Sequence, residues 1–100
     1  MAKTCMLNRE IKRQKVSKRD TAKRAKLKEA IVAAATLEEK MELSQKLSKL
    51  DRNGAKTRQR NRCSLTGRPR GFYSRFGLSR NMLRQMASRG LLPGVRKASW

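Results

Sequence analysis

The sequence predicts a mainly α fold with extended segments. It reads as N-terminal helices, a long basic loop, and a small C-terminal module with one helix and a short β or extended element. Three observations carry this. Leu and Met recur at helical spacing behind a capping signal in the first half. Residues 54–71 have no hydrophobic period at all. Patterning returns after Phe72, first as an aromatic run and then as a second helical stretch.

Residues 1–53 form the basic helical region. Leu7 and Ile11 stand one turn apart in a dense run of cations. Asp20 is placed to cap a helix over TAKRAKLKEAIVAAA, with Ala22, Ala25 or Ala30 beside Leu27 and Ile31. Thr36 with Glu39 three residues later forms a capping box and starts another helix. Behind it Leu37, Met41 and Ser44 make one row, and Leu43, Leu47 and Leu50 a second. Asn53-Gly54 is the expected stop.

Residues 54–71 read GAKTRQRNRCSLTGRPRG and carry Lys56, Arg58, Arg60, Arg62, Arg68 and Arg70. Such a segment has too little apolar surface to offset the entropy of ordering by itself. Arg-rich segments of this kind order on RNA. Residues 72–100 form a compact module and tail. FYSRF is β-prone. Ser79 is placed to cap RNMLRQMASR, whose Met82, Leu83, Met86 and Ala87 face inward while Arg80 and Arg84 lie one turn apart. Gly90 ends that helix, and LLPGVRKASW closes as a turn and an extended tail. The whole is one domain, and no internal repeat is visible.

The charge is extreme for the length. Of 100 residues, 27 are Lys or Arg and 7 are Asp or Glu, a net charge of +20. Self-repulsion on that scale calls for a polyanion, either nucleic acid or an anionic membrane. The two halves use different bases. Residues 1–50 hold ten Lys and four Arg against six acids, whereas residues 51–100 hold two Lys and eleven Arg against Asp51 alone. Arg binds phosphate bidentately and stacks on bases, so specific recognition is expected in the second half.

Composition argues against an enzyme. There is no His, and a half with one acid cannot build a paired-carboxylate or hard-metal site. Cys5 and Cys63 lie 58 positions apart and suggest two reduced thiols. No run of apolar residues is long enough to span a membrane, and the start lacks the apolar core of a secretory signal.

The strongest local signal is basic density interleaved with aromatics. Eight Arg fall between Arg58 and Arg84, Arg75 among them, with Phe72, Tyr73 and Phe76 interspersed. Arg neutralises phosphate, and exposed rings stack unpaired bases. Phe72 and Phe76 are expected in the module's small core, with Tyr73 freer to stack.

Here the residues become familiar. RNRCSLTGRPRGFYSRFGLSR, followed by RQMASRGLLPGVRKASW, closely resembles the C-terminal half of the bacterial ribosomal protein S-fourteen family of the small subunit. The match runs from about Arg58 to Trp100, and TGRPRG, FGLSR and KASW are its most specific elements. The resemblance implies binding to the 3′ major domain of 16S ribosomal RNA, a part in assembling the subunit head near the decoding side, neighbours among other head proteins, and a cytoplasmic place in the ribosome. It implies no membrane partner and no small-molecule substrate.

One branch of that family binds zinc through two CxxC pairs. The corresponding positions here are Cys63, Thr66, Ser79 and Met82, so one thiol of four remains. Structural zinc needs four N or S ligands. The chain therefore resembles the longer form that works without zinc, and no cofactor is expected. Packing by Phe76, Leu78, Met82, Leu83 and Met86, with RNA contacts, is expected to replace the metal. Gly67, Pro69 and Gly71 are expected to fix a turn that lets backbone approach RNA. Arg96 and Lys97 are expected to reach phosphate, and Trp100 either stacks or packs. Ser79 reads as a helix cap before an RNA contact.

Two rivals remain open from residues alone. A DNA-compacting basic protein would share the charge but needs no fixed Arg-rich turn and tail. A membrane-active helix is disfavoured because Glu38, Glu39 and Glu42 sit on the polar side of the Thr36–Leu50 stripe.

Overall fold

The computed structural model describes residues 1–99. Trp100, expected to touch RNA or pack, lies outside the described residues. The elements run in the order α1 (Thr4–Ala33), α2 (Leu37–Ser48), β1 (Phe72–Tyr73), β2 (Leu78–Ser79) and α3 (Arg80–Ser88). Two 3₁₀ turns, Arg52–Gly54 and Lys56–Arg58, follow α2. The mainly α fold with extended segments expected from sequence is thus present. The chain divides into two compact units, Cys5–Gln59 and Met1–Thr4 together with Arg60 onward.

In the first unit α1 is one unbroken helix of 30 residues, about 45 Å long at 1.5 Å per residue. Asp20 does not start a new helix, as the sequence had suggested. No Gly or Pro occurs before Gly54, and Ala, Lys, Arg and Glu carry the helix through the Asp. Asp20 is buried instead, as are Glu10 and Ser17. With half-buried Arg13, Arg24, Leu27 and Ile31 they fall at alternating intervals of three and four along one helix face. This inward seam is polar at its N-terminal end and apolar only at its C-terminal end.

The chain returns along that seam after α2. Arg24 donates to the Asp51 carbonyl at 2.7 Å, and Arg13 donates to the Arg58 carbonyl at 3.4 Å. Gly54 is buried against Asp20 and Val16. Two long side chains of α1 thus add donors to carbonyls of the returning segment, whose 3₁₀ turns supply the rest of its backbone bonds, the Asp51 carbonyl also accepting from the Gly54 N–H at 3.0 Å.

The capping box holds. Thr36 sits in extended conformation and accepts from the Glu39 N–H at 3.4 Å. Leu43, Leu47 and Leu50 are half-buried, whereas Leu37 and Met41 are exposed. α2 ends at Ser48, five residues before the Asn53-Gly54 stop read from the sequence. The Asn-Gly pair instead lies in a 3₁₀ turn, where the Asp51 carboxylate accepts from the Asn53 N–H at 3.0 Å. Residues 59–63 then run without regular structure.

In the second unit β1 and β2 pair antiparallel, Phe72 with Ser79 and Tyr73 with Leu78. Its buried apolar core is Cys63 and Leu78. Phe76, expected inside, is 39% exposed and is not a core residue. It lies in the four-residue turn between the strands, with its N–H held by the Tyr73 carbonyl, and that turn carries its ring outward. Met82, Leu83, Met86 and Ala87 are half-buried on α3, while Arg80, Asn81, Arg84, Gln85 and Ser88 are exposed, as the helical pattern indicated. Gly90 ends the helix, its N–H donating to the Ala87 carbonyl at 3.1 Å.

Candidate nucleic-acid interface

The Arg-rich loop is built by backbone hydrogen bonds. The Cys63 N–H donates to the Arg68 carbonyl at 3.0 Å, and the Gly67 N–H donates back to the Cys63 carbonyl at 2.9 Å. This closes CSLTGR into a tight loop. Ala2 N–H fastens residues 1–4 to it through the Thr66 carbonyl at 3.1 Å. Gly67 and Gly71 take φ of 71° and 61°, a region that L side chains avoid. Gly71 also offers its carbonyl to the Arg80 N–H at 2.7 Å, so the turn is tied to the first residue of α3. Arg68 and Arg70, on either side of Pro69, are thereby held on a fixed backbone.

The expected site residues fall in different surroundings. Arg70, Arg75, Arg80, Arg84, Arg96 and Lys97 are exposed, and so are Lys56 and Arg60. Arg68 and Arg58 are half-buried. Arg62 is half-buried and donates to the Gly67 carbonyl at 3.1 Å, which braces the loop from within. No Asp or Glu occurs after Asp51, so the sequence of the second unit carries its arginines without an interspersed acid. The ion pairs Arg13–Glu10 at 3.8 Å and Arg19–Asp20 at 2.8 Å both lie in α1. Tyr73 is 50% exposed and stands two residues before Arg75 in the chain. Cation forks and an accessible ring match the chemistry of an RNA strand, whose phosphates need neutralising and whose loops offer unstacked bases.

Two clefts gather cations. One, of about 520 Å³, brings Arg84, Arg96 and Lys97 together over a floor that includes Leu83, Ala87 and Val95. The other lies in the first unit, has a volume of about 580 Å³, and is lined by Arg9, Lys12 and Arg13 with Cys5, Asn8 and Asn53. Sequence reasoning missed this second group. Its only signal was the Asn53-Gly54 turn, which here brings the chain back to the start of α1.

Around Cys63 the four positions that a zinc knuckle would use hold one thiol, two hydroxyls and a thioether. Among the described residues no group of three or more His, Cys, Asp or Glu side chains is placed to hold a metal. Burial pushes the Cys63 thiol up. The polar groups of the loop at Thr66, with the N–H groups of Ser79 and Leu65, favour the thiolate and outweigh it, and the thiol falls from 9.0 to about 6. Ser79 is 1% exposed, and its hydroxyl has no hydrogen-bond partner. It stands at the N-cap of α3 in extended conformation without capping through its side chain. The expected cap is therefore positional only.

The sequence profile of the family described as ribosomal protein S14p/S29e matches residues 46–99. The chain is 56% identical over 101 residues to the small ribosomal subunit protein uS14 of Stenotrophomonas maltophilia (strain K279a), covering all of both chains. It is 56% identical over 100 residues to uS14 of Trichodesmium erythraeum (strain IMS101), and 53% identical to uS14c of Tetradesmus obliquus, again over both full lengths. The loop, hairpin and α3 that hold the arginine field all fall within the matched region, and the chain belongs to the ribosomal protein S14p/S29e family.

Proposed function

We propose that the chain is a structural constituent of the small ribosomal subunit, with no catalytic activity, working in the ribosome of the cytoplasm. It binds 16S ribosomal RNA in the 3′ major domain and helps assemble the subunit head beside other head proteins. The observation that carries this reading is full-length identity of 56% to small-subunit proteins, joined to an arginine field with no acid in it. Residues 1–53 supply Lys-rich helices for phosphate and protein neighbours. Residues 54–71 supply Arg forks that bridge phosphates of strands that would otherwise repel. Residues 72–100 anchor the loop, with Arg75, Arg80, Arg84, Arg96, Lys97 and Trp100 toward RNA.

We further read the chain as zinc-independent. Loop hydrogen bonds at Cys63 and the packing of Leu78, Met82, Leu83 and Met86 do the work of a metal. Elemental analysis of purified protein finding one zinc per chain would overturn that part.

Reconstitution tests the whole. Small subunits assembled from 16S RNA and purified proteins should lack head order without this chain and regain it on addition. Equal affinity for duplex DNA and 16S RNA at matched salt would favour a general nucleic-acid compactor instead.

A further inference from the structure

Gly71 and Arg80 stand opposite each other where the hairpin meets α3. The pairing of Phe72 with Ser79 puts them at the next step of the ladder, and the Arg80 N–H donates to the Gly71 carbonyl at 2.7 Å. The Arg80 side chain lies over the glycine as well. A methyl group built on Gly71 would meet Arg80 Cγ and Cδ at 3.2 Å and Cβ at 3.7 Å. The aliphatic stem thus rests on the bare backbone of Gly71, while Arg80 as a whole remains exposed.

A second glycine of the hairpin separates two roles. Gly77 takes φ of 66° beside 61° at Gly71, so an added side chain meets a similar left-handed strain at either position. At Gly77, however, a methyl group would meet nothing within 4 Å. Of the two, only Gly71 makes room for an arginine by having no side chain. A long side chain gives up rotamer freedom when it grips a ligand, and a stem seated beforehand has part of that loss behind it.

We propose that Gly71 is a positioning residue for RNA binding: its bare Cα is the seat that fixes the Arg80 stem and so aims the Arg80 guanidinium at phosphate. The inference rests on the reading of the chain as a 16S RNA-binding protein. It adds a residue with no charge of its own to that interface.

The test compares Gly71→Ala, Gly77→Ala, Arg80→Ala and the double variant Gly71→Ala with Arg80→Ala, all in the full chain. Each is melted thermally and titrated with salt while bound to 16S RNA. Arg80→Ala should lower the log–log salt slope by about one unit. Gly71→Ala should lower the slope too, and should add nothing to Arg80→Ala in the double variant. Gly77→Ala should melt like Gly71→Ala yet keep the slope of the unsubstituted chain. Equal slopes for the two glycine variants would show that backbone conformation is all that Gly71 supplies, and would overturn the proposal. NMR of the unsubstituted chain gives a second reading that needs no variant. Nuclear Overhauser contacts from the Gly71 Hα atoms to the Arg80 Cδ protons are expected, and their absence would overturn the proposal as well. A chain that binds no 16S RNA would strike the underlying reading. An intact slope for Gly71→Ala beside a lowered one for Arg80→Ala would strike the proposal alone, so the two failures are separable.

Discussion

A methyl group built on Gly54 would come within 2.9 Å of the Asp20 Oδ2 atom and 3.4 Å of Val16 Cγ1. The returning chain therefore lies against α1 with no room for a side chain. Asp20 cannot swing away freely, because Arg19 grips its carboxylate at 2.8 and 3.2 Å. The Arg19 hydrogen bond holds that carboxyl below the ordinary range, against the opposing effect of burial.

Gly54→Ala should therefore overpack the seam and destabilise the first unit by about 1–3 kcal/mol. The measurement is a denaturant melt followed by helical circular dichroism. In an Asp20→Ala background the added cost should shrink, because the clashing oxygen is gone. Equal costs in both backgrounds would mean that the close approach does not set the packing.

The Cys63 thiol makes stability depend on pH in a defined direction. Its folded value of about 6 lies below the ordinary 9.0, so the thiolate contribution is complete above about pH 9. It fades as the pH falls toward 6 and is absent below that. In a Cys5→Ser chain, which leaves one thiol, thiolate absorbance should titrate with a midpoint near 6. The unfolding midpoint should rise between pH 6 and 9, and this rise should vanish when Cys63→Ser is added. Titration at the ordinary thiol value would show that the loop N–H groups do not hold a thiolate.

Thr36 and Ser79 look alike as caps in sequence but differ in structure. Thr36 accepts a hydrogen bond from the Glu39 N–H, whereas the Ser79 hydroxyl is buried with no partner. Thr36→Ala should cost about 0.5–2 kcal/mol. Ser79→Ala should be close to neutral or stabilising, because it removes an unsatisfied buried group. Thermal melts of the two variants check this, and a larger loss at Ser79 would show a partner for its hydroxyl.

The arginines of the loop should separate into two classes. Arg70→Ala, at an exposed side chain, should change stability by no more than about 0.5 kcal/mol. Paired with Arg68→Ala, it should flatten the salt dependence of 16S RNA binding by about one unit of log–log slope per side chain. Arg62→Ala should in addition lower stability by about 0.5–1.5 kcal/mol, since its guanidinium donates to the Gly67 carbonyl. Salt-titrated binding and melting of the same three variants decide it. An unchanged slope in the Arg68 and Arg70 variant would mean that neither reaches phosphate.

The sequence by itself determined the class of fold, the charge and its division into Lys and Arg halves, the α2 capping box, and the inward face of α3. These are local properties, set by spacing, capping chemistry and residue type. Only the tertiary structure decided which polar residues are inside. Glu10, Ser17 and Asp20 lie buried on the face of α1 along which the chain returns, where Arg24 meets the carbonyl of residue 51 and Gly54 packs against Asp20. Hydrophobic periodicity is blind to such a seam. The same holds for Cys63, whose depressed pKa comes from N–H groups as far along the chain as Ser79, and for Phe76, whose apolar ring a four-residue turn sends to the surface.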